Sequence, residues 1–374
     1  MNKKSNKLRY LSFIFVQLFF VNSFAQWDFS LSTSAEYSDN PFRSPYPKAT
    51  GINTFNLGIE QNSDALSFGY YGTYSKFSEI NERNYFWHQL GFWNNTNNIL
   101  WGVYAEQRIN SLDYNFYNYE SYNAYINYNN DFNSFYFSLN TAFSLTNYSE
   151  LSDLNNFLGL INLQINRSFD TKTTLIGGIN FNYKNYFNTD LSVDDIQFHG
   201  RSSTYQKETA YVSQLNLYAR LGQSITSSTG LSLYYANRNI VGGTAQIIRA
   251  LDFVYGDESQ YFDDPISYEG YTVSAQLTQL LPFEITFKGS YFYNLKSYPS
   301  QGIYTNFEVF DESIVRDDKQ QILNFNLQKS FSLNEEETLS LNLSMGYQII
   351  KNISNSFWYD YSANQGFINL DFQF

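Results

Sequence analysis

The chain of 374 residues is short of several features that most proteins have. It contains no cysteine, which excludes disulfide bonds, thiol catalysis and a lipoprotein anchor attached through cysteine. Charged residues make up 16%, below the roughly one quarter that is typical of soluble domains. Beyond the amino terminus no apolar run approaches the ~20 residues of a membrane-spanning helix. Membrane helices are therefore excluded, whereas a transmembrane β-barrel stays allowed because alternation dilutes its apolar residues.

Positive charge is also scarce. The formal net charge is −12 and the isoelectric point is about 4.6. This balance argues against a nucleic-acid partner, because phosphates are bound by Lys and Arg. Aromatic residues are abundant instead: 34 Tyr and 35 Phe bring the aromatic fraction to 20%, although the mean hydropathy is −0.41.

Residues 1–25 have the three parts of a secretory signal peptide. Met1–Tyr10 is basic, Leu11–Val21 is apolar but too short to span a bilayer, and Ser23-Phe24-Ala25 offers small residues to a signal peptidase. We predict cleavage after Ala25, which leaves residues 26–374 as one domain. The alternative is an anchor helix that is not cleaved.

After this segment, apolar and polar residues alternate with a period of two, which indicates β-strands with one apolar and one polar face. We count about sixteen such segments, within a range of 14–18. They are Trp27–Ser38, Asn53–Asn62, Ala65–Tyr74, Tyr85–Trp93, Ile99–Arg108, Ser121–Asn129, Phe135–Leu145, Phe157–Phe169, Thr173–Tyr183, Thr209–Leu221, Leu231–Asn237, Tyr271–Gln279, Phe283–Leu295, Leu323–Lys329, Leu339–Ile349 and Phe357–Phe374.

The connections between these segments tend to alternate between short and long. Asn62–Asp64 and Asp170–Lys172 are short, whereas Asp39–Gly51, Lys184–Glu208 and Arg238–Ser267 are long. Transmembrane barrels have short turns on one side, long loops on the other and an even number of strands. We therefore predict an all-β fold, an antiparallel up-and-down transmembrane β-barrel. A secreted soluble β-sandwich has the same local alternation and is the alternative.

The last nine residues, Gly366–Phe374, alternate strictly between apolar and polar side chains and end on an aromatic residue. This strand resembles the carboxy-terminal assembly signal of Gram-negative outer-membrane β-barrel proteins, with Phe372 and Phe374 as its aromatic positions. The Asn-, Tyr- and Phe-rich composition is similar to that of such proteins from Bacteroidetes-like bacteria, and Tyr37–Phe42 resembles a segment of barrel porins. The resemblance implies an outer-membrane location, with membrane lipid, lipopolysaccharide and the barrel-assembly machinery as partners. A terminal strand leaves an open hydrogen-bonding edge unless it is paired, so we also expect the last strand to pair with the first and close the barrel.

Candidate catalytic and metal sites are few. An enzyme of the outer-membrane phospholipase type needs a Ser two residues from His88, and position 90 is Leu. His199 lies near Asp194 and Asp195 in a long loop, but it forms one cluster where a barrel protease needs two. We expect no enzyme activity and no cofactor. Acidic loop residues could hold Ca²⁺ or Mg²⁺, but we expect them to be solvated; they are Asp252, Asp257, Glu258, Asp263, Asp264, Asp311, Glu312, Asp317 and Asp318.

The face opposite the apolar one is rich in Asn, Gln, Ser and Thr, and we expect it to line the lumen. Charges on it are scattered, and the candidate lumen-lining residues are Glu106, Arg108, Arg220, Arg238 and Lys288. Such a lining suits small polar solutes, among them sugars, which offer hydroxyls to amides and ring faces to aromatics. We expect the five Trp residues (Trp27, Trp87, Trp93, Trp101 and Trp358) to anchor the barrel at the membrane surfaces.

These observations predict a passive porin or channel for small polar solutes. Two alternatives stay open: a surface-binding or structural barrel whose lumen is occluded, and an export channel for polysaccharide. Whether the connection Arg238–Ser267 folds into the lumen is the observation that best separates an open channel from an occluded one.

Overall fold

The structure is a computed structural model that describes residues 26–63, 66–187, 211–244, 266–334 and 339–374. It contains eighteen β-strands in these residues. They are β1 (Gln26–Ser38), β2 (Thr50–Asn62), β3 (Ser67–Phe77), β4 (Tyr85–Thr96), β5 (Ile99–Asn110), β6 (Tyr119–Asp131), β7 (Tyr136–Tyr148), β8 (Asn156–Ser168), β9 (Thr173–Tyr186), β10 (Tyr211–Ser224), β11 (Thr229–Gly243), β12 (Glu269–Leu281), β13 (Ile285–Tyr298), β14 (Ile303–Tyr304), β15 (Phe310–Asp311), β16 (Arg316–Ser332), β17 (Ser340–Ser354) and β18 (Tyr361–Gln373).

Sixteen of these strands form one closed antiparallel barrel, and β14 with β15 forms a separate short hairpin. Each barrel strand pairs with its neighbours in the chain, and β1 pairs with β18 from Ser30↔Gln373 to Ser38↔Gln365. The backbone of Phe374 completes this seam, because its N–H donates to Phe29 O at 3.0 Å and its carbonyl accepts from Phe29 N at 2.8 Å. The predicted barrel class, strand number and pairing of the first and last strands are confirmed.

Alternation gives the barrel two chemically different faces. Contacts between strands that are not adjacent identify the inner, concave face: Asn162 Nδ2 of β8 donates to Tyr218 OH of β10 at 3.0 Å, across β9. Residues in register with these two side chains share the inner face. The outer face presents exposed apolar side chains on many strands, for example Leu31, Leu57, Val103, Ile126, Leu163, Leu217, Leu233, Val273, Phe325 and Ile368.

The two ends of the barrel differ in their connections. At one end, the turn end, the connections have two to four residues, apart from 333–339; at the other, the loop end, they have six to 25. Short 3₁₀ turns occur in several connections, at Asn81–Arg83, Leu112–Tyr117, Ser152–Leu154, Pro282–Glu284 and Phe357–Tyr359. Among the described residues, no helix is long and apolar enough to cross a membrane.

Two glycines flank the long connection between β11 and β12. Gly243 has φ +74° and Gly270 has φ +136°, conformations that other residues rarely adopt. A Cβ atom at Gly243 would lie 1.9 Å from Tyr211 O, and one at Gly270 would lie 2.0 Å from Leu295 O. Because Gly243 and Gly270 lack a side chain, the chain can turn sharply where it leaves the sheet and where it rejoins it.

Several strands extend further than the alternation predicted, mainly toward the loop end. The largest difference is β16, which begins at Arg316 and not at Leu323, because its first residues are charged on both faces and hide the apolar period. Phe357–Tyr359 forms a 3₁₀ turn and not the start of the last strand. The predicted signal peptide, 1–25, lies outside the described residues.

Candidate functional site

The inner face of the barrel brings the candidate lumen residues onto one continuous surface. Glu106 and Arg108 lie on β5, in register with Ser121 and Tyr119 of β6. Of the other three candidates, Arg220 and Arg238 pair across β10 and β11 with Tyr234 and Asn216, and Lys288 of β13 pairs with Asn326 of β16. The sequence suggested that these charges are scattered, but apart from Arg108 their positions around the barrel follow the sign of the charge.

Inner-face charges are sorted by sign. A group that we name the acid wall lies on β18, β1, β2, β5 and β6 and comprises Asp371, Asp28, Glu36, Glu60, Glu106 and Asp131. A group that we name the basic wall lies on β9, β10, β11 and β13 and comprises Lys184, Arg220, Arg238, Lys288 and Lys296. In the closed strand order β3 and β11 are eight strands apart, so the two walls face each other across the lumen.

Arg108, among the strands of the acid wall, and Asp318, in register with Lys296 of the basic wall, depart from this sorting, and both are buried. Arg108 stacks on Tyr85 with its Cζ 4.1 Å from the ring centre, and its Nε donates to Asn110 Oδ1 at 3.3 Å. Arg316 of β16 forms an ion pair with Asp318, and each of these residues is 2% exposed. Their charges are held by neighbouring side chains and contribute little to the open lumen.

The inner face is covered at the loop end and accessible at the turn end. Along β16, Arg316, Asp318 and Gln320 are buried near the loop end, whereas Gln328 is exposed near the turn end. Burial at the loop end comes partly from the loops themselves. The described end of the β11–β12 connection, Ile266–Tyr268, lies against the inner face, where Gln214 Nε2 donates to Tyr268 O at 2.8 Å.

Tyr268 brings this loop segment to the basic wall. Its ring lies 5.5 Å from Arg238 Cζ and 5.1 Å from Lys296 Nζ, both measured to the ring centre. Ile266 packs with Val212, which is fully buried on the inner face of β10. The described part of the connection therefore folds into the mouth of the barrel. Residues 245–265 of the same connection lie outside the described part of the chain.

Arg316 also ties two other loops to the mouth. Its Nη1 donates to Gln301 Oε1 at 3.0 Å, its Cζ lies 3.3 Å from the centre of the Tyr359 ring, and Gln301 Nε2 donates to Tyr359 OH at 2.8 Å. Tyr304 N, in the β14–β15 hairpin, donates to Ser356 Oγ at 3.0 Å. The β13–β16 and β17–β18 connections are thus held together around one buried cation.

A second arginine gathers the loops on the acid-wall side. Arg83 is 4% exposed, and its Cζ lies 4.6 to 5.2 Å from the ring centres of Phe42, Tyr114 and Tyr117. Phe42 belongs to the porin-like segment Tyr37–Phe42. In the same segment, the Asp39 carboxylate accepts hydrogen bonds from the backbone N–H and from the side-chain amide of Asn364 on β18, both at 2.7 Å. In this structure the segment therefore joins the β1–β2 connection to the last strand.

Aromatic side chains cover the acid wall near the turn end. A cavity of about 440 Å³ opens there between β2 and β6. The inner-face side chains that line it are Glu60, Tyr71, Gln89, Trp93, Asn95, Leu100, Tyr104 and Tyr125. Tyr71 OH donates to Glu60 Oε1 at 2.5 Å, so a phenol and a carboxylate are joined at its edge.

Other residues singled out in the sequence have different placements. His88 lies on the outer face, in register with Gly72, and its Nδ1 is 2.8 Å from Tyr70 OH. Trp87 and Trp93 lie on the inner face, so their predicted anchoring role at the membrane surface is wrong; alternation was uninformative there because both faces of β4 are aromatic. Trp27 and Trp101 lie on the outer face, and Trp358 lies in a loop, where its Nε1 donates to Phe307 O.

The acidic residues that were predicted to lie in loops also have different placements. Asp317 and Asp318 were predicted in a loop with Asp311 and Glu312, but both belong to β16, and Asp318 pairs with Arg316. No group of three or more His, Asp or Glu side chains that could hold a metal forms within the described ranges. His199 and its two neighbouring Asp residues, and the acidic residues from Asp252 to Asp264, lie outside those ranges.

Several inner-face residues were missed from the sequence. Glu60 lies in the polar phase inside the predicted segment Asn53–Asn62, and Lys184 and Lys296 lie one residue beyond the predicted ends of their strands, so following the period could have found all three. The inner rings of Tyr71, Tyr104 and Tyr125 gave no such signal, because Tyr occurs on both faces. Sorting of charge by wall depends on the closed strand order and could not be predicted before closure was established.

Neither a protein-family model nor a curated protein matches the sequence. Solved structures do match the fold. OccAB1 of Acinetobacter baumannii has a TM-score of 0.54 at 9% identity, over 94% of this chain and 97% of that one. OccK8 (OprE) of Pseudomonas aeruginosa has a TM-score of 0.53 at 9% identity, over 94% and 98%. The outer membrane protein opdK of P. aeruginosa has a TM-score of 0.50 at 8% identity, over 93% and 99%. At these identities the likeness shows the fold alone.

Proposed function

We propose that the chain is a passive channel for small polar solutes in the outer membrane of a Gram-negative bacterium. The observation that carries this proposal is the closed sixteen-stranded barrel, with exposed apolar side chains outside and a polar, charged surface inside. Barrels of this size enclose an aqueous channel, whereas small barrels are filled by their own side chains. Strands of 13 residues, as in β1, extend about 43 Å, which at a tilt of about 45° spans the ~30 Å of a hydrocarbon layer.

Three further features support the membrane setting. One solved structure of the same fold is described as an outer membrane protein. Residues 1–25 read as a cleaved signal peptide, and Phe372 and Phe374 lie where an aromatic assembly signal is expected. In this proposal the partners are membrane lipid, lipopolysaccharide and the barrel-assembly machinery. The composition supports a source among Bacteroidetes-like bacteria.

The solutes follow from the lining. Amide and hydroxyl groups dominate the inner face, which supports passage of neutral polar molecules, with sugars as one class. We propose that the five sequence candidates, Glu106, Arg108, Arg220, Arg238 and Lys288, line this path. Among them Arg220, Arg238 and Lys288 contribute to the basic wall and Glu106 to the acid wall. Neither this lining nor the fold supports an enzyme function.

Swelling of proteoliposomes tests the channel. Liposomes that contain the folded chain should swell in iso-osmotic solutions of small sugars, at rates that fall as the solute becomes larger. Liposomes prepared with heat-unfolded protein are the matched control. Equal swelling in both preparations, with folded barrel verified in the first, would overturn the proposal.

A second candidate function is favoured by the loops in the mouth. Ile266–Tyr268 and the Arg316 cluster cover much of the inner face at the loop end. A barrel that is closed there would act as a surface-binding or structural protein. It would show no swelling with any solute, and removal of the β14–β15 hairpin would then create a solute path that the intact chain lacks.

A further inference from the structure

The acid-wall cavity combines aromatic rings with a carboxylate. Tyr71, Trp93, Tyr104 and Tyr125 come from four adjacent strands, β3 to β6, and Glu60 comes from β2. The volume of about 440 Å³ exceeds what a few ordered waters need and is large enough for a small organic solute. The cavity lies in the turn-end half of the barrel, away from the loop segments that cover the mouth.

Glycines on the inner face allow the rings to lie against the wall. A Cβ atom at Gly69 would be 2.6 Å from an atom of the Trp93 ring, and one at Gly102 would be 2.6 Å from Tyr125 OH. Each ring therefore covers a neighbouring backbone that has no side chain. Both rings also line the cavity, so they lie between the backbone and the space that a solute would occupy.

The charges around the cavity all have one sign. Within the described residues of β1, β2, β3, β4 and β6, the inner face carries no Lys or Arg. The exception on β5 is Arg108, which is 8% exposed and stacks on Tyr85 near the loop end. Glu60 is the charged side chain among the residues that line the cavity, so it places negative charge beside the aromatic rings, and both features attract a cation.

We propose that this cavity binds an organic cation with apolar substituents, such as a trimethylammonium group, as a station on the path through the barrel. The inference rests on the proposed channel function, since the cavity is reached through the lumen. Such a cation gains from the ring faces and from the Glu60 carboxylate together. A neutral saccharide would also stack on the rings but would gain nothing from the negative charge of Glu60.

Current block by choline tests the proposal with the full chain in planar bilayers. Choline should reduce the potassium current in a saturable way. The half-blocking concentration should rise about tenfold in Trp93→Leu and in Glu60→Gln, because each removes one of the two attractions. Tyr218→Leu is the matched control, since this ring lies on the opposite arc over Gly178, and it should leave the block unchanged.

The outcomes separate this inference from the channel function. A conducting wild type without saturable choline block, or an equal loss of block in Tyr218→Leu, would overturn the cation site and leave the channel intact. Block by glucose that persists in Glu60→Gln would assign the cavity to a neutral saccharide and also overturn it. If the wild type does not conduct, equilibrium dialysis of choline against the folded chain in detergent decides: saturable binding that Trp93→Leu weakens supports the site, and its absence overturns it. Heat-modifiable migration on gels verifies that each variant is folded.

Discussion

The acid and basic walls face each other in one lumen but are built differently. On the basic wall, charge is tied into a hydrogen-bonded chain: Arg238 Nη1 donates to Thr272 Oγ1 at 2.9 Å, Thr272 to Asn294 at 2.7 Å, and Asn294 to Gln320 at 3.1 Å. On the acid wall, Glu60 accepts a hydrogen bond from Tyr71 at the edge of an aromatic cavity. The acid-wall side has a hydrogen-bonded row as well, from Thr73 to Asn56 and from Asn56 to Ser32, but it also has an aromatic cavity with room for a solute.

This difference assigns separate roles to the two walls. A network that spans four strands fixes the positions of its donors, so the basic wall sets a constant field across the lumen. Rings over glycines offer contact area and few fixed hydrogen bonds, so the acid wall can hold solutes of varied shape. Substitutions that remove charge, pairing or rings from one wall at a time test whether the two walls have these separate roles.

The largest effect is expected at the buried pair on β16, where both signs occur together. Arg316→Met leaves the Asp318 carboxylate buried without its cation, so the free energy of unfolding should fall by about 3–5 kcal/mol. The double variant Arg316→Met/Asp318→Leu should lose clearly less, because no charge is left buried alone. Urea unfolding in lipid or detergent measures both. Equal losses in the single and double variants would contradict the claim that the destabilisation comes from a buried carboxylate without its cation.

Neutralising each wall should shift ion selectivity in opposite directions. The triple variant Glu36→Gln/Glu60→Gln/Glu106→Gln should lower cation permeability, and Arg220→Gln/Arg238→Gln/Lys288→Gln should raise it. A single charge about 7 Å from a passing ion contributes about 0.6 kcal/mol in water, or about threefold in relative permeability. Reversal potentials across a KCl gradient measure the shift. Shifts of the same sign in both triples would contradict the opposed walls.

The seam between β1 and β18 runs through the acid wall and ends at Phe374. Removing this residue should lower the amount of barrel in the outer membrane several-fold, because it deletes the terminal aromatic position of the proposed assembly signal. The folded fraction should lose only about 1–2 kcal/mol, the contribution of two backbone hydrogen bonds to Phe29. Phe374→Ala, which keeps those bonds, is the matched variant. Membrane fractionation measures the effect on assembly, and unfolding midpoints measure the effect on stability. Normal membrane levels of the deletion variant would contradict the assembly role of Phe374.

Arg108→Gln should have the smallest effect. The guanidinium is buried against Tyr85 and Asn110, so removing its charge should change the reversal potential by less than the about threefold expected for a charge in the open lumen. The shift should be toward cations. A change as large as that of Arg220→Gln would show that Tyr85 and Asn110 do not shield the Arg108 charge from the solute path and that the acid wall is interrupted.

Sequence alone predicted the barrel because period-two alternation, alternating connection lengths and the terminal aromatic strand agree with one another. All sixteen predicted segments coincide with barrel strands, with errors mostly at their ends. Ends were missed where charge falls on both faces, as at Arg316–Lys319, since alternation of apolar residues then gives no signal.

The candidate site was less predictable. Phase along a strand places Glu106 or Lys288 on the polar face, but which charges share a wall depends on strand closure and order. The loop contacts of Arg83 and Arg316 depend on tertiary packing and have no local pattern. The aromatic cavity was hidden because Tyr and Trp occupy both faces of β4 and its neighbours, so side-chain type could not separate lumen from exterior.

Single-channel recording of the wild-type chain in a planar bilayer tests most directly whether the two walls enclose a continuous aqueous path. Folded barrels should produce discrete, ohmic current steps in KCl. Bilayers that contain verified folded barrels but show no steps would contradict the open channel and favour the barrel that is closed by its loops.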